Sequence, residues 1–484
     1  MLFNSIDFLI FFPLVTAIYF ATPYAWRWLP LLLASCWFYM TFVPVYILIL
    51  FFTIGVDYIA GIAIEGAEGR RRKLFLLASI VANVGVLAFF KYFNFLNANL
   101  AALAEFLHWN YPIEALGILL PIGLSFHTFQ SLSYTVEVYR KRFPAERHAG
   151  VFALYVMFYP QLVAGPIERP QHVLPQLHAR YDFDYRDATA GLRLMAWGFF
   201  KKVVIADRVA VLVNHVYADP TDFTGLALIV ATVAFAYQIY CDFSGYSDIA
   251  LGSAQVMGIR LMTNFDSPYS SSSISEFWRR WHISLSTWFR DYFYIPLGGN
   301  RVNWWRWQRN LLLTFLVSGL WHGANWTFVA WGTLHGLYLV GAIWTEGLRR
   351  RLAHAVGLDR VPVLHHVLRV ATTFSLVCVA WVFFRAVNVS DAFYILTHLF
   401  AGLSFSRESL AGILDLGLDG YELTVAAAAI AILEIVQWLQ RNGHLAAGLS
   451  AQPTVVRWAA YYALVTAILF FGSFTQAEFI YFQF

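Results

Sequence analysis

Long stretches without charged residues dominate the chain. A helix needs roughly 20 apolar residues to cross about 30 Å of hydrocarbon. Runs that lack Asp, Glu, Lys and Arg and approach or exceed this length lie at 28–56, 74–90, 115–136, 149–167, 223–241, 310–345 and 458–477. Shorter runs lie near 6–20, where Asp7 is the one charged residue, and at 370–384 and 423–433. Because the longest runs can cross the membrane twice, the pattern predicts on the order of ten or eleven transmembrane helices.

The composition excludes a water-soluble globule. Hydrophobic residues make up 59% of the 484 residues and charged residues only 13%, whereas about a quarter of the residues are charged in soluble domains. No polar stretch is long enough to fold alone. We therefore predict one all-α, polytopic membrane domain over 1–484, with its core motifs at 90–345 and further transmembrane helices at 346–484. The first arginine is Arg27, so a cleavable basic leader is not expected.

Basic residues are concentrated in short clusters at 70–73, 140–142, 201–202, 301–309 and 349–351. Such clusters favour the cytoplasmic side of a membrane protein. A net charge of +4 is too small to indicate a nucleic-acid partner.

Pro and Gly interrupt two apolar runs, at 121–123 and 164–166. These interruptions predict broken or re-entrant helices that line a cavity, with an ordinary helix kink as the alternative.

Two Trp-His pairs stand forty positions apart, and His322 lies deep in apolar sequence. An ionisable side chain is costly inside a membrane, so its presence there indicates function. A neutral imidazole in an apolar site can accept a proton near neutral pH, which is typically worth about 10²–10⁴ in rate. His322 is therefore predicted to be catalytic, with His282 as a second candidate. His335 does not share a helical face with His322 and is predicted to be structural.

The segment before and around His282 is rich in Trp and Arg. Serines at 270–273 can cap a helix that continues to Asp291. Its residues Trp278, Trp281 and Trp288 are of the type that settles at a membrane interface, where the rings lie at the level of the lipid headgroups. This interfacial role is the alternative to a catalytic role for His282.

Asp242 and Asp248 follow an apolar run and are expected to close its helix. Buried carboxylates in membrane proteins pair with cations or face water. The predicted partners are Arg279, Arg280 or Arg290, and structural pairing is favoured over direct chemistry.

Motifs of other enzyme classes are missing from the sequence. There is no P-loop, no dinucleotide-binding glycine motif and no H-E-x-x-H metal motif. Ser244 lies in Phe-Ser-Gly and not in the G-x-S-x-G of a nucleophile elbow. A pair of histidines without metal or serine nucleophile suits general-base transfer of an activated acyl group to a hydroxyl. We predict no metal site.

Several ordered motifs resemble the membrane-bound O-acyltransferase (MBOAT) family, and within it the bacterial alginate O-acetylase branch. The motifs that carry the resemblance are EFWRRWHISLS at 276–286, FRDY at 289–292, LGGNR at 297–301, GLWHGA at 319–324, DFSGYSD at 242–248 and FKYFNF at 90–95. It covers most of the chain up to about residue 345. Beyond that point only WVFFR at 381–385 and the aromatic ending FIYFQF at 479–484 match.

The resemblance implies an MBOAT fold with re-entrant and interfacial helices around a central tunnel, in a multi-pass protein of the bacterial inner membrane. The implied reaction passes an acetyl group from a cytoplasmic thioester, with acetyl-CoA as the expected donor, to an extracellular or periplasmic polysaccharide such as alginate or peptidoglycan. No permanently bound cofactor is implied. The polymer need not contact this chain, because a separate periplasmic acetyltransferase with a serine nucleophile is the implied partner.

The resemblance also assigns roles to residues. His322 matches the catalytic histidine, and His282 falls where the family keeps a second polar residue. Trp321, Asn325 and Arg290 are expected to orient the imidazole or to bind the phosphates of the donor, and Asp242 and Asp248 complete the candidate set.

Two alternatives stay open at this point. A D-alanyl transferase of the same superfamily would share the histidine but use a carrier-protein thioester. A polytopic transporter would also show broken helices and intramembrane acids, although paired halves are then expected and the sequence shows no such symmetry.

Overall fold

The computed structural model describes residues 1–117, 120–163, 165–443, 452–474 and 479–480. Within these ranges the chain is helical and forms no β-strand, as the apolar pattern predicts. The α-helices of this part, numbered α1 to α22 in chain order, span Ile6–Ala21, Trp28–Met40, Ile47–Gly66, Gly69–Leu87, Phe93–Phe106, Leu124–Tyr139, Ala149–Met157, Tyr159–Leu162, Pro170–His178, Tyr185–Phe199, Asp207–Ala218, Leu226–Val256, Ile274–Arg280, Ile283–Phe289, Trp304–His322, Trp326–Trp344, Glu346–Ala355, Pro362–Arg385, Val389–His398, Arg407–Ala411, Gly420–Arg441 and Thr454–Phe471.

Seven helical segments in the described ranges are long and apolar enough to cross a membrane. They are Pro44–Gly66, Gly69–Phe106, Leu226–Val256, Trp326–Trp344, Pro362–Arg385, Gly420–Arg441 and Thr454–Phe471. The chain is therefore an all-α, multi-pass membrane protein. The higher number of ten or eleven also counts shorter apolar runs, such as the one that forms α1, Ile6–Ala21, whose 16 residues fall below a full span.

The chain divides into two compact units. The first comprises 1–195 and 249–263, and the second comprises 196–248 and the described part of 264–483. Two of the three boundaries fall inside helices, because α10 continues from 195 to 199 and α12 continues from 248 to 256, and the third, at 263–264, lies in a non-helical segment. The prediction of one domain over the whole chain stays a prediction.

A buried carboxylate joins the helices of the first unit. Asp57 of α3 is fully buried. Its oxygens accept hydrogen bonds from the hydroxyl of Ser79 at 2.6 Å and from the side-chain amide of Asn83 at 2.9 and 3.0 Å. Both donors lie on α4. Polar side chains of two membrane-spanning helices therefore form hydrogen bonds with each other inside the protein.

In the second unit, glycines bring α15 and α16 into backbone contact. A Cβ atom at Gly319 would clash with the carbonyl oxygen of Phe328, and a Cβ atom at Gly332 would clash with the carbonyl oxygen of Phe315. Small residues allow membrane helices to approach this closely. The contact fixes the end of α15, where His322 lies, against the first turns of α16.

The chain is non-helical at both Pro-Gly interruptions, which favours the predicted break over a helix kink, while the cavity that they line stays a prediction. Gly123 has a φ of +75° and is the N-cap of α6, which begins only at Leu124. Gly165 and Pro166 lie in the non-helical segment between α8 and α9. The remaining residue of this motif, Ala164, lies outside the described residues.

The prediction of one interfacial helix through Asp291 is wrong. The cap is as expected, since the hydroxyl of Ser273 accepts the backbone N–H of Glu276. However, α13 ends at Arg280 and α14 starts anew at Ile283. Between them the backbone is extended at Trp281 and left-handed at His282, which interrupts the helix.

The predicted interfacial tryptophans are buried. Trp281 is 1% exposed, and Trp278 and Trp288 are each 8% exposed. Their rings pack against other side chains of the protein instead of reaching the lipid headgroups. Asp242 was also misplaced at a helix end, because α12 continues for several turns beyond it to Val256.

Candidate active site

His322 is the last residue of α15 and is held among aromatic rings. Its ring centroid lies 4.9 Å from that of Trp321, 4.8 Å from that of Trp331 and 5.4 Å from that of Phe384, each in an edge-to-face arrangement. The side chain is 4% exposed. Because the three rings approach from different elements, α15, α16 and α18, they restrict the orientation of the imidazole.

His282 occupies the break between α13 and α14. Its backbone is left-handed, with φ 43° and ψ 56°, and the side chain is fully buried. The ring centroid lies 4.6 Å from that of Phe243 and 6.3 Å from that of Trp321. Since the Trp321 ring also contacts His322, the structure brings His282, Trp321 and His322 together, three of the residues that the sequence singled out.

Hydrogen bonds to Asn264 fix the tautomer of His282. The side-chain oxygen Oδ1 of Asn264 accepts the backbone N–H of Ser284 at 3.2 Å, and a backbone N–H can only donate. The same oxygen lies 3.0 Å from Nδ1 of His282. Nδ1 must therefore carry the proton, which leaves the lone pair of the neutral ring on Nε2.

The charge of His282 follows from its burial. The residue lies outside the seven apolar spans, and desolvation lowers its pKa to about 3. The ring is thus neutral at physiological pH. A general base works best when its pKa is near the operating pH, so His282 is better suited to accept a hydrogen bond and position a group than to take a proton.

A buried cluster of opposite charges surrounds Lys202. Its ammonium group lies 2.8 Å from a carboxylate oxygen of Asp207 and 2.7 Å from one of Asp242. Although burial opposes the charge, the carboxylates of Asp242 and Asp207 raise the pKa of Lys202 above its usual value. The neighbouring Lys201 pairs with Asp248 at 2.7 Å. Both candidate acids are therefore structural partners of lysines.

The predicted arginine partners are wrong. Arg280 pairs with Glu276 at 2.9 Å, four residues earlier on the same helix. Arg290 pairs with its neighbour Asp291 at 2.7 Å. The lysines were missed because 201–202 was assigned to a cytoplasmic loop, whereas the structure places both in a π-helical segment, Phe200–Ala206, with buried side chains. The apolar residues that flank the two lysines were the available signal.

Phe479 and Ile480, near the C-terminus, contribute to the same region, a contact that the sequence alone does not predict. The backbone N–H of Ile480 donates to the second carboxylate oxygen of Asp242 at 2.8 Å. The ring of Phe479 lies 4.7 Å from that of Tyr246 and 5.7 Å from that of Phe243. Because Phe243 also contacts His282, Phe479 forms part of the wall behind the histidine.

Asn325 caps a helix and Arg290 forms an ion pair, and the site roles predicted for both stay predictions. Asn325 is the N-cap of α16: its oxygen accepts the backbone N–H of Thr327 at 3.0 Å, and its amide donates to the carbonyl oxygen of Val387 at 3.1 Å. These bonds fix the turn that follows His322. Arg290 is exposed.

His335 supports the aromatic cluster. Its Nδ1 accepts a hydrogen bond from the indole N–H of Trp278 at 3.2 Å. Its ring lies 5.0 Å from that of Trp331, which also contacts His322. This hydrogen bond gives His335 a structural function.

Comparison with known proteins shows which family the sequence of this chain matches. The model of MBOAT, the membrane-bound O-acyltransferase family, matches residues 80–354, a range that contains both His282 and His322. The probable alginate O-acetylase AlgI of Pseudomonas aeruginosa is 40% identical over 90% of this chain and 81% of its own length.

Other relatives are named for other polymers. The peptidoglycan O-acetyltransferase of Helicobacter pylori is 35% identical over 76% of this chain and 72% of its own length. The teichoic acid D-alanyltransferase of Streptococcus thermophilus is 31% identical, but over only 45% of this chain and 56% of its own length. The likeness is thus most extensive to proteins named as O-acetyl-transferring enzymes.

Proposed function

The chain belongs to the membrane-bound O-acyltransferase family and is a multi-pass membrane O-acyltransferase, and we propose that it passes an acetyl group from a cytoplasmic thioester toward a polysaccharide beyond the bacterial inner membrane. The observation that carries the proposal is His322, buried among three aromatic rings inside the segment that the family model matches. The acetyl specificity is supported by relatives named for alginate and peptidoglycan, which align over 90% and 76% of this chain.

His322 is proposed as the general base. The oxygen of an acceptor hydroxyl attacks the carbonyl carbon of the acetyl thioester while the imidazole takes the hydroxyl proton. The carbon–sulfur bond then breaks, and the proton passes from the imidazolium to the departing thiolate. This acyl transfer changes no oxidation state and needs neither a metal nor a redox cofactor. Acetyl-CoA supplies the activated acyl group.

His282 and Trp321 are proposed as positioning residues. The ring of Trp321 lies 6.3 Å from that of His282 and 4.9 Å from that of His322, so its indole can restrict both imidazoles. The lone pair on Nε2 of His282 can accept a hydrogen bond from a donor or acceptor group without taking the proton, because its pKa is far below neutral.

A separate protein is proposed to complete the transfer outside the cytoplasm. The partner would be a periplasmic acetyltransferase with a serine nucleophile, which receives the acetyl group and delivers it to the polymer. Under this proposal the chain itself need not bind the polysaccharide.

The test supplies radiolabelled acetyl-CoA to membranes that contain the chain, with and without the candidate periplasmic partner. We expect label in the polysaccharide only when the chain, the partner and the polymer are all present. D-alanine on a carrier-protein thioester forms the second arm, because a D-alanyltransferase shares the matched region. Transfer of D-alanine but not of acetyl would overturn the acetyl assignment.

Asn264→Leu tests the role of His282. The change removes the oxygen that orients Nδ1 and leaves the buried Nδ1–H and the Ser284 N–H without their acceptor. We expect the free energy of unfolding to fall by about 1–3 kcal/mol and the transfer rate to fall about 10–100-fold, as for other hydrogen-bond partners that orient functional histidines.

The matched control for this variant is Ser284→Ala. It removes only the hydroxyl that donates to Asn264 at 3.0 Å and keeps the bond between Asn264 and His282. Its rate should fall much less. Thermal unfolding in detergent and initial rates of label transfer measure the two effects. A folded Asn264→Leu protein with the wild-type rate would remove the orientation of His282 from the mechanism.

A further inference from the structure

A large groove opens beside the second unit's spanning helices, away from His322. It has a volume of about 1620 Å³ and lies along α16 and α18, with the short helix α17, Glu346–Ala355, at one end. Both long helices are apolar enough to span the membrane. The groove therefore faces the region that lipid occupies around the protein.

The walls of this groove are mainly aliphatic. Leu337 of α16 is 49% exposed and Leu368 of α18 is 44% exposed, and Leu376 lies deeper on the same helix. Leu352 of α17 and Val356, the residue that follows this helix, also line the groove and are exposed. A helix that combines such an apolar side with several arginines is of the kind that lies in the membrane interface.

Arginines of both α17 and α18 line the groove. Its lining includes four, of which Arg349 donates to the carbonyl oxygen of Ala342 and Arg350 pairs with Glu346 at 2.8 Å. Arg351 and Arg369 are exposed, and within the described ranges neither has a carboxylate at ion-pair distance. Two guanidinium groups thus remain available to an anion in an apolar groove.

We propose that an anionic phospholipid occupies this groove, with its phosphate at Arg351 and Arg369 and its acyl chains along the apolar walls of α16 and α18. Guanidinium groups bind phosphate oxygens through paired, charge-assisted hydrogen bonds. Basic pockets between membrane helices recognise anionic headgroups in this way. Coenzyme A carries phosphates too, but its polar pantetheine arm would leave the aliphatic walls uncovered.

The experiment measures thermal unfolding of the purified full chain in neutral detergent with increasing phosphatidylglycerol or phosphatidylcholine. A ligand that binds only the folded state raises the Tm. We expect phosphatidylglycerol to raise the Tm of the wild type and phosphatidylcholine to leave it unchanged. In the double variant Arg351→Gln, Arg369→Gln, the apparent Kd for phosphatidylglycerol should weaken at least about tenfold, since charged hydrogen bonds contribute more than 1.4 kcal/mol.

The control is Arg301→Gln, Arg306→Gln, which removes the same charge from two exposed arginines outside the groove. It should respond to phosphatidylglycerol as the wild type does, and all three proteins should have the same Tm without lipid. Equal responses of the wild type and the groove variant would overturn the proposal. So would a Tm rise with coenzyme A alone that is lost in the groove variant, because the site would then bind the donor.

Discussion

Replacing His322 with alanine should abolish acetyl transfer to the polymer. Removal of a general base typically costs about 10²–10⁴ in rate, and no other imidazole contacts the same three aromatic rings in the described part of the chain. His282 cannot substitute, since its pKa of about 3 makes it a weak proton acceptor. The rate is measured as radiolabelled acetyl incorporated into polysaccharide by membranes of equal protein content.

Two further variants separate chemistry from folding in this experiment. His322→Gln keeps a polar side chain of similar reach that cannot accept the proton, so it should be as inactive as the alanine variant. His366→Ala changes an exposed histidine and should keep the wild-type rate. Immunoblots should show equal amounts of all variants in the membrane. Wild-type acetylation by His322→Ala would end the general-base assignment.

Lys202→Met should destabilise the protein by about 3–5 kcal/mol, which is the usual loss when one partner of a buried ion pair is removed. The carboxylates of Asp207 and Asp242 would remain 3% exposed without the cation between them. The expected result is a large drop in Tm and little folded protein by size-exclusion chromatography in detergent.

Charge balance predicts how this loss is reversed. The triple variant Lys202→Met, Asp207→Asn, Asp242→Asn removes the buried charges together and should regain much of the Tm, because a neutral cluster has no uncompensated charge. Lys73→Met, at an exposed lysine, is the control and should leave the Tm unchanged. A wild-type Tm for Lys202→Met alone would show that the cluster contributes nothing to stability.

Local signals in the sequence were sufficient for much of the fold. The membrane helices follow from uncharged runs, since burial in lipid depends on the composition of each segment alone. The cap at Ser273 follows from residues three positions apart. The break at Gly123 follows because glycine can adopt a positive φ, and the break at Pro166 follows because proline has a fixed φ and no backbone N–H.

Contacts between residues that are far apart in the sequence could not be predicted from local sequence patterns. Lys202 and Asp242 are forty positions apart, and only the packing of their elements brings them to 2.7 Å. The Trp residues near His282 are of the type found in interfacial helices. The sequence does not show the left-handed backbone at His282 or the burial of the neighbouring Trp281. Asn264 was missed for the same reason, because its bond to His282 crosses 18 positions.

The left-handed backbone at His282 has an evolutionary consequence. Any residue with a Cβ atom is strained there by roughly 1–2 kcal/mol, and glycine is not. Selection for a more stable backbone would therefore drive this position toward glycine. The imidazole at this position therefore costs backbone stability, as is expected where a side chain is kept for activity and not for stability. Engineering programmes that stabilise this protein by relieving strained dihedrals should accordingly leave position 282 untouched.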